Sequence, residues 1–202
     1  DVTYETEKGD REHVWQTCYG IFAGRPLVGV LGAHGDDNGA VLPPAMAPIH
    51  VVIIPIPHKE IEKQILKACQ NAASKLEKAN ISVELDLRPD LTPGAKYYYW
   101  ELRGVPVRIE IGPRDVKKKE VTIVRRDTLE KQTWKTDKIV AAVKKTMDNM
   151  TKDMREKAWQ WMNEHVYRVG KLEEANRLLK KRAGIVEVAW CGSEDCGHKL
   201  EE

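Results

Sequence analysis

Residues 32–57 read GAHGDDNGAVLPPAMAPIHVVIIPIP, and this stretch decides how the chain is divided. His34, Gly35, Asp36, Asp37, Asn38 and Gly39 are polar or turn-forming residues in a row, so no helix continues through them. Pro43, Pro44 and Pro48 each lack an N–H and each restrict the residue before them, which makes an extended crossing. The apolar run Val51–Ile54 then opens a new pattern. A domain junction near residue 48 is expected.

Downstream, a strand His50–Ile56 precedes an amphipathic helix Lys59–Ala79 with Ile61, Ile65, Leu66, Cys69, Ala72, Ala73 and Leu76 at helical spacing. A strand Ile81–Leu87 follows, and strand, helix, strand with short connections predicts a right-handed βαβ unit in a parallel sheet. Thr92, Pro93 and Gly94 start a short helix that Arg103 and Gly104 end. Val105–Ile111 and Val121–Arg125 then alternate as two hairpin strands, and a helix over Lys138–Met150 closes an α/β sandwich. Residues 49–150 are thus expected to form one domain of ordinary size. Tyr97, Tyr98, Tyr99 and Trp100 are consecutive, so on a helix they cannot all face one core. Exposed aromatics among Lys96, Arg103 and Arg108 suit stacking on unpaired bases; alternatively they fill two faces of a thin domain.

Upstream, Val2, Tyr4 and Thr6 alternate with polar neighbours, Lys8–Asp10 turn, and His13–Cys18 resume a β-rich run, which predicts an antiparallel hairpin. After Gly20 and Gly24, Leu27, Val28, Val30 and Leu31 lead into a helix with Pro26 in its first turn. Arg25 at such a helix start suits an anion, since free N–H groups and a positive dipole stand beside a forked donor, although a lone Arg there is more often a surface residue. His34, Asp36 and Asp37 have no further ligand at metal spacing and are read as a helix-terminating turn with a structural role.

Residues 151–202 are helix-rich at first, with Met154, Ala158, Trp161 and Met162 at core spacing and a second helix around Leu172–Leu179. The strand Gly184–Trp190 runs into Cys191-Gly-Ser-Glu-Asp-Cys196, a knuckle able to supply half of a four-ligand zinc site.

The net charge of +2 is unevenly placed. Residues 96–145 hold 14 Lys or Arg against 7 Asp or Glu, so this segment carries +7 and the remainder about −5. A basic face in a near-neutral chain fits either a polyanion binder or a solvated lysine-rich surface. Cys18, Cys69, Cys191 and Cys196 are too scattered for a disulfide framework. With neither an apolar run long enough to span a bilayer nor a leader pattern, a cytoplasmic protein is expected.

HGDDxGxVLPPxxAPxxVVIxPI, residues 34–56, resembles the catalytic-to-anticodon domain junction of prolyl-tRNA synthetases. PGxKxxxWELRGVPVRIEIGPRD, Pro93–Asp115, with VRRDT at residues 124–128, resembles the anticodon-binding domain of the same family. The resemblance implies an α/β chain in three parts. Residues 1–48 would be the end of a class II antiparallel catalytic sheet, 49–150 a mixed-sheet α/β anticodon-binding domain, and 151–202 a small α+β zinc-type domain. It implies Arg25 as the ATP-contacting Arg of the third class II motif, and Gln16, Thr17, Cys18, Gly20 and Gly24 with it in the ATP and prolyl-adenylate pocket, although Gly20–Gly24 departs from the family's usual loop. It implies Glu101, Arg108, Asp115 and Lys131 as readers of the anticodon guanines, and Cys191 and Cys196 as ligands of a structural Zn2+. Expected with these are ATP with Mg2+, proline, tRNA(Pro) and a homodimer. The chain by itself would be inactive, because 202 residues leave out the two earlier signature motifs. A non-enzymatic tRNA-binding module and a zinc-dependent structural protein are the alternatives.

Overall fold

The computed structural model describes residues 2–22, 24–182 and 184–192. The expected hairpin forms from β1 (Thr3–Glu5) and β2 (Arg11–His13), antiparallel with Thr3 opposite His13. The β-rich run that sequence carries to Cys18 does not continue as strand: β2 ends at His13, and residues 14–22 are without regular structure and largely exposed. With no neighbouring strand to accept its amide ladder, β propensity alone does not hold it. Helix α1 (Gly24–His34) has Pro26 in its first turn, as expected, and buries none of its residues.

The centre of the molecule is a five-stranded mixed sheet of β3 (Val51–Pro55), β4 (Val83–Leu85), β5 (Val107–Ile111), β6 (Glu120–Arg125) and β7 (Lys131–Lys135). Their spatial order is β4-β3-β5-β6-β7. Strands β4, β3 and β5 are parallel, while β5, β6 and β7 are antiparallel. Between β3 and β4 runs α2 (Glu62–Glu77), whose stripe Ile65, Cys69, Ala72, Ala73 and Leu76 is buried. Each fully buried Ile or Leu of such a stripe contributes about 1.5–3 kcal/mol relative to exposure. Helix α3 (Pro93–Leu102) starts at Thr92, whose hydroxyl accepts from the Ala95 N–H, and has Pro93 at its first position.

Among the elements not read from the sequence are the short helix α4 (Pro113–Lys118) between β5 and β6, the edge strand β7 and, further on, a strand at Val166–Val169. A single helical turn and a polar edge strand carry no hydrophobic period to detect. The helix expected to stop at Met150 runs on as α5 (Ile139–Glu164), so the expected edge at residue 150 falls inside a continuous helix. Beyond it lie β8 (Val166–Val169), α6 (Leu172–Lys180) and β9 (Ile185–Val188), with β8 and β9 parallel. Of the Met and Trp stripe read as core, Met154 is buried, whereas Trp161 and Met162 are exposed and Trp161 stacks on His165. No helix among the described residues is long and apolar enough to cross a membrane.

Strand alternation sorts the sheet into two faces. Val51, Ile53, Val107, Ile109, Ile111, Val121 and Ile123 pack beneath α2 and α5 with Ile139, Ala142 and Val143. Val52 and Ile54 point the other way and meet Trp100 and Val105, with Tyr97 and Tyr99 beside them. Helix α3 covers only that half of the second face. On the β5-β6-β7 half the side chains are polar apart from the buried Val124.

The junction stretch behaves as the structural turn expected of it. The Asp36 and Gly39 backbones exchange hydrogen bonds, and the Asp36 carboxylate accepts from the Asn38 N–H. Gly39 has φ +125, and a Cβ there would lie 2.5 Å from the Leu102 Cα. A Cβ at Gly104, at φ +70, would lie 2.9 Å from Ala40. Only residues without a side chain allow these two segments to touch. Arg126 then fastens the contact: its Nη1 and Nη2 donate to both Asp36 oxygens at 2.7 Å, and its Nε donates to the Glu101 carbonyl at 2.9 Å.

Candidate nucleic-acid interface

Two rows of cross-strand neighbours make up the second face. Val52, Arg108, Val124 and Lys131 stand opposite one another across β3, β5, β6 and β7. Ile54, Glu110, Thr122 and Thr133 form the next row. The period of two along Arg108-Ile109-Glu110 places both charged side chains on this face and Ile109 in the core. Glu101 reaches the same place from the last turn of α3, because Gly104 reverses the chain between the helix and β5.

These residues are linked into one chain of charges. Arg108 Nη1 donates to Glu101 Oε1 at 2.5 Å, and its Nε donates to Glu110 Oε1 at 3.1 Å. Lys131 Nζ donates to both Glu110 oxygens, at 3.1 and 3.0 Å. The Tyr97 ring lies against the Arg108 guanidinium, 4.1 Å from its centroid. Burial, and then the Glu110 charge, push the Tyr97 hydroxyl up to about 12. The side chains of Glu101, Arg108 and Glu110 are nearly buried, while that of Lys131 is 54% exposed, so the cluster opens at the Lys131 end.

Among the described residues, Arg108 Nη2 and Glu101 Oε2 form no hydrogen bond, and the one orphaned buried side-chain polar atom is Trp134 Nε1. Those two free valences therefore touch solvent. A rim holding open donors, an open carboxylate oxygen and a lysine can meet both edges of a guanine, whose N1 and N2 donate and whose O6 and N7 accept.

Three of the four expected anticodon readers, Glu101, Arg108 and Lys131, are thus joined, and Glu110 bridges them. From sequence, Glu110 is expected only as a pairing partner of Arg108, alongside Glu101, and Arg108 does pair with both. The fourth, Asp115, caps α4: its Oδ2 accepts from the Gly112 N–H at 2.8 Å, and its Oδ1 accepts from Thr122 Oγ1 at 3.4 Å. Thr122 is the cross-strand neighbour of Glu110, so Asp115 borders the same face without bonding to the charge chain.

The aromatic helix is divided between the two uses weighed for it. Tyr98 is exposed, Trp100 is buried, and Tyr99 lies between the Arg88 and Arg103 guanidiniums, with centroid distances of 3.9 and 3.5 Å. Lys96, read as an exposed base, is buried, and its Nζ donates to the Asp86 carbonyl at 3.0 Å. Asp86 itself accepts from Arg88 and from Trp100 Nε1. Burial pushes the Asp86 carboxyl up, but bonds from Arg88 and Trp100 and the Lys96 charge outweigh it and hold the group well below the usual carboxylate range.

The residues expected at the ATP end lie elsewhere. Gln16, Thr17, Cys18 and Gly20 are exposed in the irregular segment, and Gly24 and Arg25 stand in the first turn of α1. The Arg25 guanidinium lies 5.3 Å from the Phe22 ring centroid. Cys191 is exposed just after β9, and Cys196 lies outside the described residues. Among the described residues no group of three or more His, Cys, Asp or Glu could hold a metal ion.

A family described as "Anticodon binding domain" matches residues 50–146. Over the whole chain, the sequence is 48% identical to a proline--tRNA ligase of Thermococcus kodakarensis and 47% identical to one of Pyrococcus abyssi. It is 45% identical to a proline--tRNA ligase of Ignicoccus hospitalis. The chain spans 42% of the length of each of these relatives.

Proposed function

We propose that the chain belongs to the proline–tRNA ligase family, aligning with the C-terminal part of its members, and that it reads the anticodon of tRNA(Pro). The observation that carries this is the Glu101–Arg108–Glu110–Lys131 chain on the uncovered half of the sheet, inside the segment that matches the anticodon-binding family. Arg108 and Lys131 would donate to a guanine's O6 and N7, and Glu101 or Glu110 would accept from its N1 and N2, with Tyr97 holding the arginine plane. Asp115 would meet a neighbouring nucleotide.

The whole protein would activate proline with ATP and Mg2+ to prolyl-adenylate and transfer it to the tRNA 3′ end, as a cytoplasmic homodimer. In that reading residues 1–48 are the end of the class II catalytic sheet. Arg25 contacts ATP there, and Gln16, Thr17, Cys18, Gly20 and Gly24 border the adenylate. The exposed Trp15, Tyr19, Ile21 and Phe22 support it, since side chains of that size are buried in a complete domain. Residues 151–202 form the zinc-type domain, with Cys191 and Cys196 as two of its ligands.

Two measurements test the proposal. Titration of this chain with tRNA(Pro) transcripts should show tighter binding of the natural anticodon than of one with either guanine replaced, and equal binding would overturn anticodon reading. In the complete polypeptide, proline-dependent ATP–pyrophosphate exchange should fall roughly a hundredfold in Arg25→Ala, as for loss of one charge-assisted phosphate contact in a dry site. An unchanged exchange rate would remove Arg25 from the site.

A further inference from the structure

Away from the charge chain, a groove of about 970 Å³ opens between α2, α4 and the end of β7. Its floor is apolar, made by Ala68, Ile111, Val116 and Val121. Its rim is basic, with Lys75 of α2 and Lys78 just past it, Lys118 at the end of α4 and Lys119 just past it, and Lys135 from β7. The carboxylates nearby are largely engaged: Asp115 caps α4, and Glu120 accepts from Lys135 at 3.0 Å. Lys75 reaches only a backbone carbonyl, that of Thr136, at 3.2 Å. Among the described residues Lys75, Lys78, Lys118 and Lys119 have no carboxylate partner, which leaves Asp137 as the one unengaged acid of the lining. Lys119 also sits at φ +54, where a side chain is disfavoured and a glycine would not be.

We propose that this lysine-rimmed groove is a sequence-independent site for the phosphodiester backbone of the tRNA whose anticodon the sheet face reads. The proposal rests on the function given above. The groove is too large for a lone phosphate and has no fork of bidentate donors to read a base edge. Lysines act as point charges on phosphates, and several of them along one wall suit a chain of phosphates. Continuity with the reading face supplies the direction. Asp115 lines the groove and bonds to Thr122 of the reading face, so a strand leaving the guanine rim reaches the groove by turning round the end of the sheet at α4, the groove floor lying on the α2-covered face.

The test is fluorescence anisotropy of this chain with a tRNA(Pro) transcript and with a transcript carrying one replaced anticodon guanine. Each is measured from about 50 to 200 mM salt, where phosphate contacts dominate the salt dependence. The variant is Lys78→Gln with Lys119→Asn, the second because asparagine tolerates a left-handed backbone. Each lost phosphate contact lowers the slope of log K against log salt by about 0.7–0.9. The wild-type chain should therefore lose roughly tenfold more affinity than the variant across that range, for both transcripts alike. Lys118→Gln alone, at an exposed position with no recorded role in folding, should give about half of the slope change on a logarithmic scale.

Discrimination between the transcripts with an unchanged slope in both variants overturns the groove and leaves anticodon reading standing. A lowered slope without discrimination overturns anticodon reading and leaves the groove standing. A loss confined to the natural anticodon overturns the phosphate assignment. Inorganic tripolyphosphate binding as tightly as the transcript overturns the assignment to an RNA strand.

Discussion

Arg126→Ala removes the fastening between the junction turn and the anticodon-binding segment, and its cost can be worked from the contacts. The side chain is 2% exposed and makes two bonds to Asp36 and one to the Glu101 carbonyl. Losing the Nε donor removes a charge-assisted bond worth about 1.5–3 kcal/mol, although the Glu101 carbonyl keeps the Gly104 N–H at 3.0 Å. The Asp36 side chain is 38% exposed, so water rehydrates its carboxylate, and the 3–5 kcal/mol typical of breaking a fully buried pair does not apply there. The sum is about 2–3 kcal/mol, or roughly 5–10 °C in Tm for a chain of this size.

Bonds from Arg126 lower the Asp36 carboxyl below its ordinary range, ahead of the opposing effect of burial. A depressed carboxyl stabilises the fold above its unfolded value, near pH 4, and the gain is lost as pH falls through the folded value. The difference between wild type and variant should therefore narrow below about pH 4, leaving the part that comes from the bond to the Glu101 carbonyl. Urea denaturation and thermal melts at pH 7 and pH 3 measure both effects, with Asp36→Asn as the partner in a double-mutant cycle. Equal Tm values for wild type and Arg126→Ala at pH 7 would refute the reasoning.

Asp86→Asn should destabilise by about 2–4 kcal/mol, since a buried carboxylate holding Arg88, Lys96 and Trp100 Nε1 is replaced by a neutral amide; denaturant unfolding followed by tryptophan fluorescence reads it. Its depressed carboxyl adds stability that is present above about pH 4 and drains away toward strong acid, so the variant's deficit should shrink on acidification. Tyr97 should ionise at about 12. The stabilisation from burying its neutral form is intact below about pH 10 and is lost as pH rises toward the folded value. Absorbance at 295 nm, wild type minus Tyr97→Phe, should show one late step, and a step at the ordinary tyrosine value would contradict its burial.

Where burial is periodic, the sequence was enough. The run Val51–Ile54 and the stripe Ile65, Cys69, Ala72, Leu76 sit in the core as their spacing requires. Lys131-Gln-Thr-Trp-Lys135 was missed because an edge strand facing solvent needs no apolar alternation; its pairing with β6 is a tertiary fact. The length of α5 was misjudged because a change in what a helix packs against leaves no mark on its backbone. Lys96 looked like one more exposed base, and only the position of the Asp86 carbonyl buries it. Of the proposed reading rim, Glu101, Arg108 and Lys131 were expected from the resemblance and the structure joins them, while Glu110 was expected only as a pairing partner of Arg108. The Arg126–Asp36 bond joins residues 90 apart, a separation no local pattern encodes.

The central claim is that Arg108, held by Glu101 and Glu110 beneath Tyr97, reads a guanine. Its most direct test is binding of wild-type chain and Arg108→Ala to transcripts with each anticodon guanine replaced in turn. The account predicts that the variant loses about 1–3 kcal/mol for the natural anticodon and no longer distinguishes one of the two replacements. Full discrimination retained by Arg108→Ala at both positions would contradict it, leaving the charge chain as an ion-pair network that only holds α3 to the sheet.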